Sequence, residues 1–210
     1  MSVASAQRSA LGALCAPKGL GKGGGSVRYE IRLAGEGGQG LILAGVILAE
    51  AASATEGMCV AQTQSYGPEA RGGASRSEVV ISDQEIDYPR VVEADVLLAM
   101  SQEAHDRFGA QLKEDGLLLV DSILVHKVDR VSAHRVPITR LAEEATGDRV
   151  AANMVALGLI VGLTGVVSAE ATEAALSSRV PGSAREGNLR AFRVGLSASH
   201  GLRCSAGHGS

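Results

Sequence analysis

The stretch 29-YEIRLAGEGGQGLILAGVILAEAASA-54 decides how the rest of the chain is read. Residues 29–34 alternate polar and apolar and then meet glycines, as a strand does where it ends in a turn. Residues 40–54 are apolar nearly all round, the pattern of a helix buried inside a domain. Between them, 35-GEGGQG-40 has the G-x-G-x-x-G spacing in the strand-to-helix context that gives the pattern meaning. Gly35 is expected to permit a tight turn, Gly37 to let a ligand approach the backbone, and Gly40 to let helix and strand pack closely. Gly38 and Gln39 complete the turn, and the helix N-terminus then offers free N–H groups to an anion.

Working outward, five more strand-like runs follow: 58-MCVAQTQ-64, 77-SEVVIS-82, 95-DVLLAM-100, 117-LLLVDS-122 and residues 131–137. Helices are expected at 101–113, with Ser101 as N-cap and Glu103 in the first turn, and then at 139–146, 151–165, 168–178 and 184–197. Ser168 marks one of these N-termini, and Pro181-Gly182 separates the last two helices. Strands alternating with helices, several of them unbroken apolar runs, imply an α/β fold. The expected form is Rossmann-like and doubly wound, with a mostly parallel sheet and a helical C-terminal part.

The totals agree with one domain in 210 residues. Aromatics are 2% and Trp is absent, so the core must be aliphatic. Arg8, Lys18, Lys22 and Arg28 stand in residues 1–28 without an acid, which leaves the rest of the chain at a net charge of -7. A mildly acidic body does not suit nucleic acid. Residues 1–28 read as a basic, Gly-rich, disordered extension, with a targeting segment or an over-long start as alternatives; 29–198 read as a single domain and 199–210 as a loose tail. The uncharged run 150-VAANMVALGLIVGLTGVVSA-169 contains a GxxxG at Gly158 and Gly162. Polar residues and glycines dilute it, so it reads as a buried helix of a water-soluble domain, with no membrane partner.

Cys15, Cys59 and Cys204 are far apart and form no CxxC, which argues against a metal or iron–sulfur site on this chain and for a reducing cytoplasm. His105, His126, His134, His200 and His208 show no metal-ligand spacing. No GxSxG or Walker A pattern is present, and no residue is assigned a catalytic role. A bound dinucleotide would want an acid at the tip of the second strand, which here ends Gln62-Thr63-Gln64. Glu36, inside the turn, would repel a pyrophosphate. A stand-alone nucleotide-binding oxidoreductase is therefore kept only as an alternative, beside a purely structural assembly subunit.

The loop 65-SYGPEARGGASRSE-78 is unlike its flanks. Tyr66-Gly67-Pro68 makes a rigid turn, Glu69 and Arg71 can pair, and Gly72-Gly73 frees the backbone for close approach. If the flanking strands are parallel, the loop lies at a carboxyl edge, where open α/β sheets place ligands. Arg71 and Arg76 are then candidate anion clamps; a solvated turn with a surface ion pair is the competing reading.

Taken together, the chain resembles the gamma subunit of 2-oxoacid:ferredoxin oxidoreductases, most closely that of the 2-oxoglutarate (KorC-type) enzymes. The resemblance rests on 34-AGEGGQGLILAGVILAEAA-52, 62-QTQSYGPEARGGASRSEVVIS-82, 85-EIDYP-89, 95-DVLLAMSQEA-104 and 115-DGLLLVDS-122. It continues through 137-PITRLAEEATG-147, 152-ANMVALG-158 and 179-RVP-181. It implies a complex that decarboxylates a 2-oxoacid on thiamine diphosphate, transfers the acyl group to coenzyme A and passes electrons through iron–sulfur clusters to ferredoxin. The thiamine cofactor, its Mg and the clusters are expected on partner subunits: alpha, beta and, as an optional further partner, a ferredoxin-like delta chain. By the same resemblance, Gly35, Gly37, Gly38, Gln39, Gly40, Tyr66, Glu69, Arg71, Gly72, Gly73 and Arg76 are expected to face ligand or partner chains.

Overall fold

In the computed structural model, which describes residues 26–65 and 75–205, the opening stretch folds as read. β1 (Arg28–Gly35) ends in the glycine turn and α1 (Leu41–Ser53) follows. Then come β2 (Cys59–Ser65), β3 (Ser75–Ser82), β4 (Ala94–Ala99), α2 (Gln102–Phe108), β5 (Leu112–Asp121) and β6 (His134–Val136). The chain finishes with α3 (Ile138–Thr146), α4 (Ala152–Thr164), α5 (Ala169–Arg179) and α6 (Gly182–Ser205).

The six strands form one sheet in the order β2-β3-β1-β4-β5-β6. β1, β4, β5 and β6 run parallel, whereas β3 is antiparallel to both β1 and β2. The strands on either side of residues 66–74 are thus not parallel to each other. The reason is length: a parallel return needs a crossover of a dozen or more residues, and this connection is too short for one. The sheet edge is nevertheless the expected one. Gly35 pairs with Ser75 and Arg76 with Ser65, so β2 ends and β3 begins where β1 ends.

The two faces are covered unequally. Ile31, Leu33, Val79, Ile81, Val96 and Leu98 pack against α1, α3, α4, α5 and α6. On the other face, Ala34, Val80, Leu97, Ala99, Leu118 and Val120 pack against Ala104 and Phe108 of α2 and against Val91 and Val125 of the connecting segments. The Ser101 hydroxyl accepts from the Ala104 N–H at 3.2 Å, and the Ser168 hydroxyl from the Ala171 N–H at 3.0 Å, so both expected N-caps are in place.

α4 and α6 cross with almost no space between them. A Cβ on Gly158 would lie 2.1 Å from the Phe192 carbonyl oxygen, and one on Gly195 would lie 2.0 Å from that of Val155. Backbone meets backbone there, which only glycine allows. The GxxxG of the apolar run is therefore a helix-crossing device inside a globular core. No helix among the described residues is long and apolar enough to cross a membrane.

Several boundaries differ from expectation; β3 and β5 begin earlier, at Ser75 and Leu112. The helix from Ser101 stops at Phe108 instead of running to residue 113, because Leu112 already pairs with Ala94 and Lys113 binds Asp95 at 2.7 Å. The last strand is His134–Val136 rather than residues 131–137. α6 continues through Ser205, so the first residues of the expected loose tail are helical.

Candidate functional site at the carboxyl edge of the sheet

The glycine turn sits on the sheet edge, and Glu36, Gly37, Gly38 and Gly40 are exposed. Gln39 holds its shape. The Gln39 side-chain oxygen accepts from the Glu36 N–H at 2.8 Å, and its Nε2 donates to the Met100 carbonyl at 2.9 Å. One amide thus ties the turn after β1 to the end of β4, with both of its polar atoms in use. The glycines divide the work differently from expectation. Gly35 has an ordinary backbone, but a Cβ there would lie 2.1 Å from the Gln39 side chain and 3.0 Å from Met100 Cβ. Gly38 and Gly40 carry the left-handed conformation, at φ 93° and 71°.

Gly40 also meets a residue that sequence reasoning did not single out. Asn153, at the start of α4, donates from Nδ2 to the Gly40 carbonyl at 3.0 Å, and a Cβ on Gly40 would lie 2.4 Å from that nitrogen. It is helix α4, rather than the strand, that demands glycine at this position. We expect Gly40→Ala to cost about 1–2 kcal/mol from the left-handed backbone alone, before the clash with Asn153 is added. A Cβ on Gly37 would meet nothing within 4 Å, and its φ is not positive, so Gly37→Ala should stay within about 0.5 kcal/mol of the parent. Urea denaturation of the two variants checks both values.

α1 begins at Gly40 with no side-chain cap and no acid in its first turn. Its first N–H groups and the positive end of its dipole are therefore offered outward at an exposed turn. That is the chemistry of an anion or carboxylate contact. A dinucleotide is poorly served. β3 lies between β1 and β2, which puts the tip of the second strand about 10 Å from the turn, and that tip carries Gln64 and Ser65 rather than an acid.

β3 joins the turn directly. The Ser75 hydroxyl lies 3.3 Å from the Gly35 carbonyl and 3.2 Å from the Glu36 carbonyl, donating to this pair. Tyr66, Glu69, Arg71, Gly72 and Gly73 lie outside the described residues. Arg76 is described, and its side chain lies on the α2 face, 5.6 Å from the centre of the Phe108 ring, with the sheet between it and α1. Beneath it, the buried Arg32 Nε binds Glu78 Oε1 at 2.8 Å, while Arg76 Nε is 3.7 Å from the same oxygen. Neither Arg32 nor Glu78 was picked out in the sequence.

Among the described residues, no group of three or more His, Cys, Asp or Glu side chains is placed to hold a metal ion. The phenol of Tyr29 is pushed up to about 12 by burial and then by the Asp95 carboxylate, but it lies near the other end of β1. Apart from the exposed Glu36 carboxylate, the turn offers backbone dipoles and shape.

A mostly parallel α/β chain with an uncapped helix N-terminus and a clamped glycine turn at its sheet edge belongs to the doubly wound class of folds. More specifically, residues 30–198 match the family model described as pyruvate ferredoxin/flavodoxin oxidoreductase, and the chain belongs to that family. The 2-oxoglutarate synthase subunit KorC of Methanothermobacter thermautotrophicus is 50% identical over 177 residues, covering 80% of this chain and 94% of that one. The corresponding Methanocaldococcus jannaschii subunit is 49% identical over 174 residues, covering 80% and 92%. Among solved structures, the gamma subunit of a keto/oxoacid ferredoxin oxidoreductase from Geobacter sulfurreducens superposes with a TM-score of 0.75 at 51% identity, covering 83% of this chain and 97% of that one. A 2-oxoglutarate:ferredoxin oxidoreductase from Magnetococcus marinus, with 2-oxoglutarate, coenzyme A and succinyl-CoA bound, gives 0.73 at 26% identity, covering 83% of this chain and 31% of that one.

Proposed function

We propose that the chain is the gamma subunit of a cytoplasmic 2-oxoacid:ferredoxin oxidoreductase acting on 2-oxoglutarate, and that it works only within that complex. The observation that carries this reading is the exposed, Gln39-clamped turn from Gly35 to Gly40, set at the open N-terminus of α1 in a chain half identical to 2-oxoglutarate synthase subunits. The turn binds and orients. Thiamine diphosphate, Mg and iron–sulfur clusters belong to the partner subunits, where they would supply the decarboxylation and electron-transfer chemistry. Coenzyme A, a polyanion, is the co-substrate whose charge suits a helix N-terminus. Exposed Leu43 on the first turn of α1, and Ile123 and Leu124 just beyond the end of β5, give the same region apolar surface for a partner chain.

Co-expression with the neighbouring alpha and beta chains provides the test. A tag on this chain should bring both partners through affinity and size-exclusion steps in fixed ratio. Recovery of the chain alone, with the partners well expressed, would sink the reading.

A further inference from the structure

On the α2 face, at the ends of β2 and β3, a cleft of about 150 Å³ is lined by Thr63, Gln64, Ser65, Arg76, Glu78 and Arg90. It does not contain the glycine turn. Its floor is built and rigid. Arg32 and Glu78 face each other across the β1–β3 pair and are 2% and 3% exposed. Besides Glu78, Arg32 donates to the Gln111 side-chain oxygen at 2.6 Å and to the Val91 carbonyl at 2.8 Å. The second Glu78 oxygen accepts from the Thr63 hydroxyl at 3.4 Å. The single carboxylate of the cleft is thus committed to Arg32 and Thr63.

The two remaining cations are left with little of that charge. Arg76 makes a longer ion pair to the same Glu78 oxygen at 3.7 Å, beyond hydrogen-bond range, and also rests over the Phe108 ring. Arg90 is exposed and forms no ion pair among the described residues. Its main chain is held from behind, because Arg28 Nη2 donates to the Tyr88 carbonyl at 2.9 Å and to the Arg90 carbonyl at 3.3 Å. Three guanidiniums therefore surround one carboxylate in a chain whose formal net charge is -3. Such a local excess, walled by a sheet edge, concentrates anions. Two guanidinium forks match the oxygens of a tetrahedral anion, and the volume suits one such group rather than a whole nucleotide.

We propose that this cleft binds a phosphate group, with Arg76 and Arg90 as the donors and the closer Arg32–Glu78 pair as the support beneath them. The inference does not depend on assembly with alpha and beta chains. The phosphate is either a free anion or the terminal group of a larger phosphorylated ligand.

The test is a calorimetric titration of the full chain with pyrophosphate, and separately with adenosine 3′,5′-bisphosphate, at ionic strength held constant with NaCl. Saturable binding is expected, weakened at least 10-fold in Arg90→Gln and in Arg76→Gln. Arg90 is exposed, so the first variant keeps the fold even if the second does not. Equal affinity for the two probes identifies a free-anion site, and tighter bisphosphate binding identifies a larger phosphorylated ligand; both support the cleft. No saturable binding by the parent chain, or binding unchanged in Arg90→Gln, overturns it. A chain that fails this titration yet still co-purifies with its partners would refute the cleft and leave the proposed function intact.

Discussion

Glu78→Gln is expected to destabilise the chain by about 3–5 kcal/mol, since it removes one member of a buried ion pair and leaves the other charge uncompensated. Arg32 is 2% exposed, and a guanidinium cannot shed its proton to escape the low-dielectric site. The reverse change should be milder. With Arg32→Met, the Glu78 carboxyl keeps the Thr63 hydroxyl at 3.4 Å and has Arg76 at 3.7 Å to move closer. The double variant Arg32→Met/Glu78→Gln should recover part of the loss of Glu78→Gln, a coupling that a double-mutant cycle in urea reads directly. A loss below about 1 kcal/mol for Glu78→Gln would show that the pair contributes only as a surface pair does.

Gly158→Val is expected to be comparably damaging. Its Cβ would lie 2.1 Å from the Phe192 carbonyl oxygen, and backbone cannot move aside as a side-chain tip can. α4 and α6 would have to separate, opening the core around Val155, Leu159 and Phe192, at a cost of about 3 kcal/mol. For a domain of this size that is a fall in Tm of about 6–12 °C. Gly187→Ala, in the same α6 but with nothing within 4 Å, supplies the control. It should gain up to about 1 kcal/mol from helix propensity. Differential scanning calorimetry of the two variants separates crossing from propensity; similar Tm values for both would contradict the close crossing.

The architecture was legible wherever local chemistry determines it. Residues 29–54 change from a two-residue to a helical period across GEGGQG, and that switch alone places a strand, a turn and a helix. Ser101 and Ser168 announce helix starts because capping is a contact between residues only three apart. Long-range pairing was not legible in this way. Arg32 and Glu78 are 46 residues apart and meet only because β3 inserts beside β1, so nothing near either residue marks the pair. Leu112 and Lys113 suit a helix locally and are pulled into β5 by Ala94 and Asp95. Gly158 and Gly162 were visible as a close-approach motif, but what approaches them is α6, some thirty residues further on. Asn153 was read only as a polar residue diluting an apolar run, although a buried amide there signals a polar partner.

The same division holds at the candidate site. Gly35, Gly37, Gly38, Gln39 and Gly40 were found because the turn is local, although Gln39 proves to be its clamp and Gly40 answers to Asn153. Arg76 was noted for its charge, while its place on the face opposite α1 depends on strand alternation and sheet order together.

The most direct test is turnover by the assembled complex. Alpha and beta chains, purified with and without this chain, are given 2-oxoglutarate, coenzyme A and oxidised ferredoxin, and ferredoxin reduction is followed by absorbance. The account predicts coenzyme A-dependent reduction that requires this chain and is restored by adding it back. Equal rates with and without the chain would contradict it.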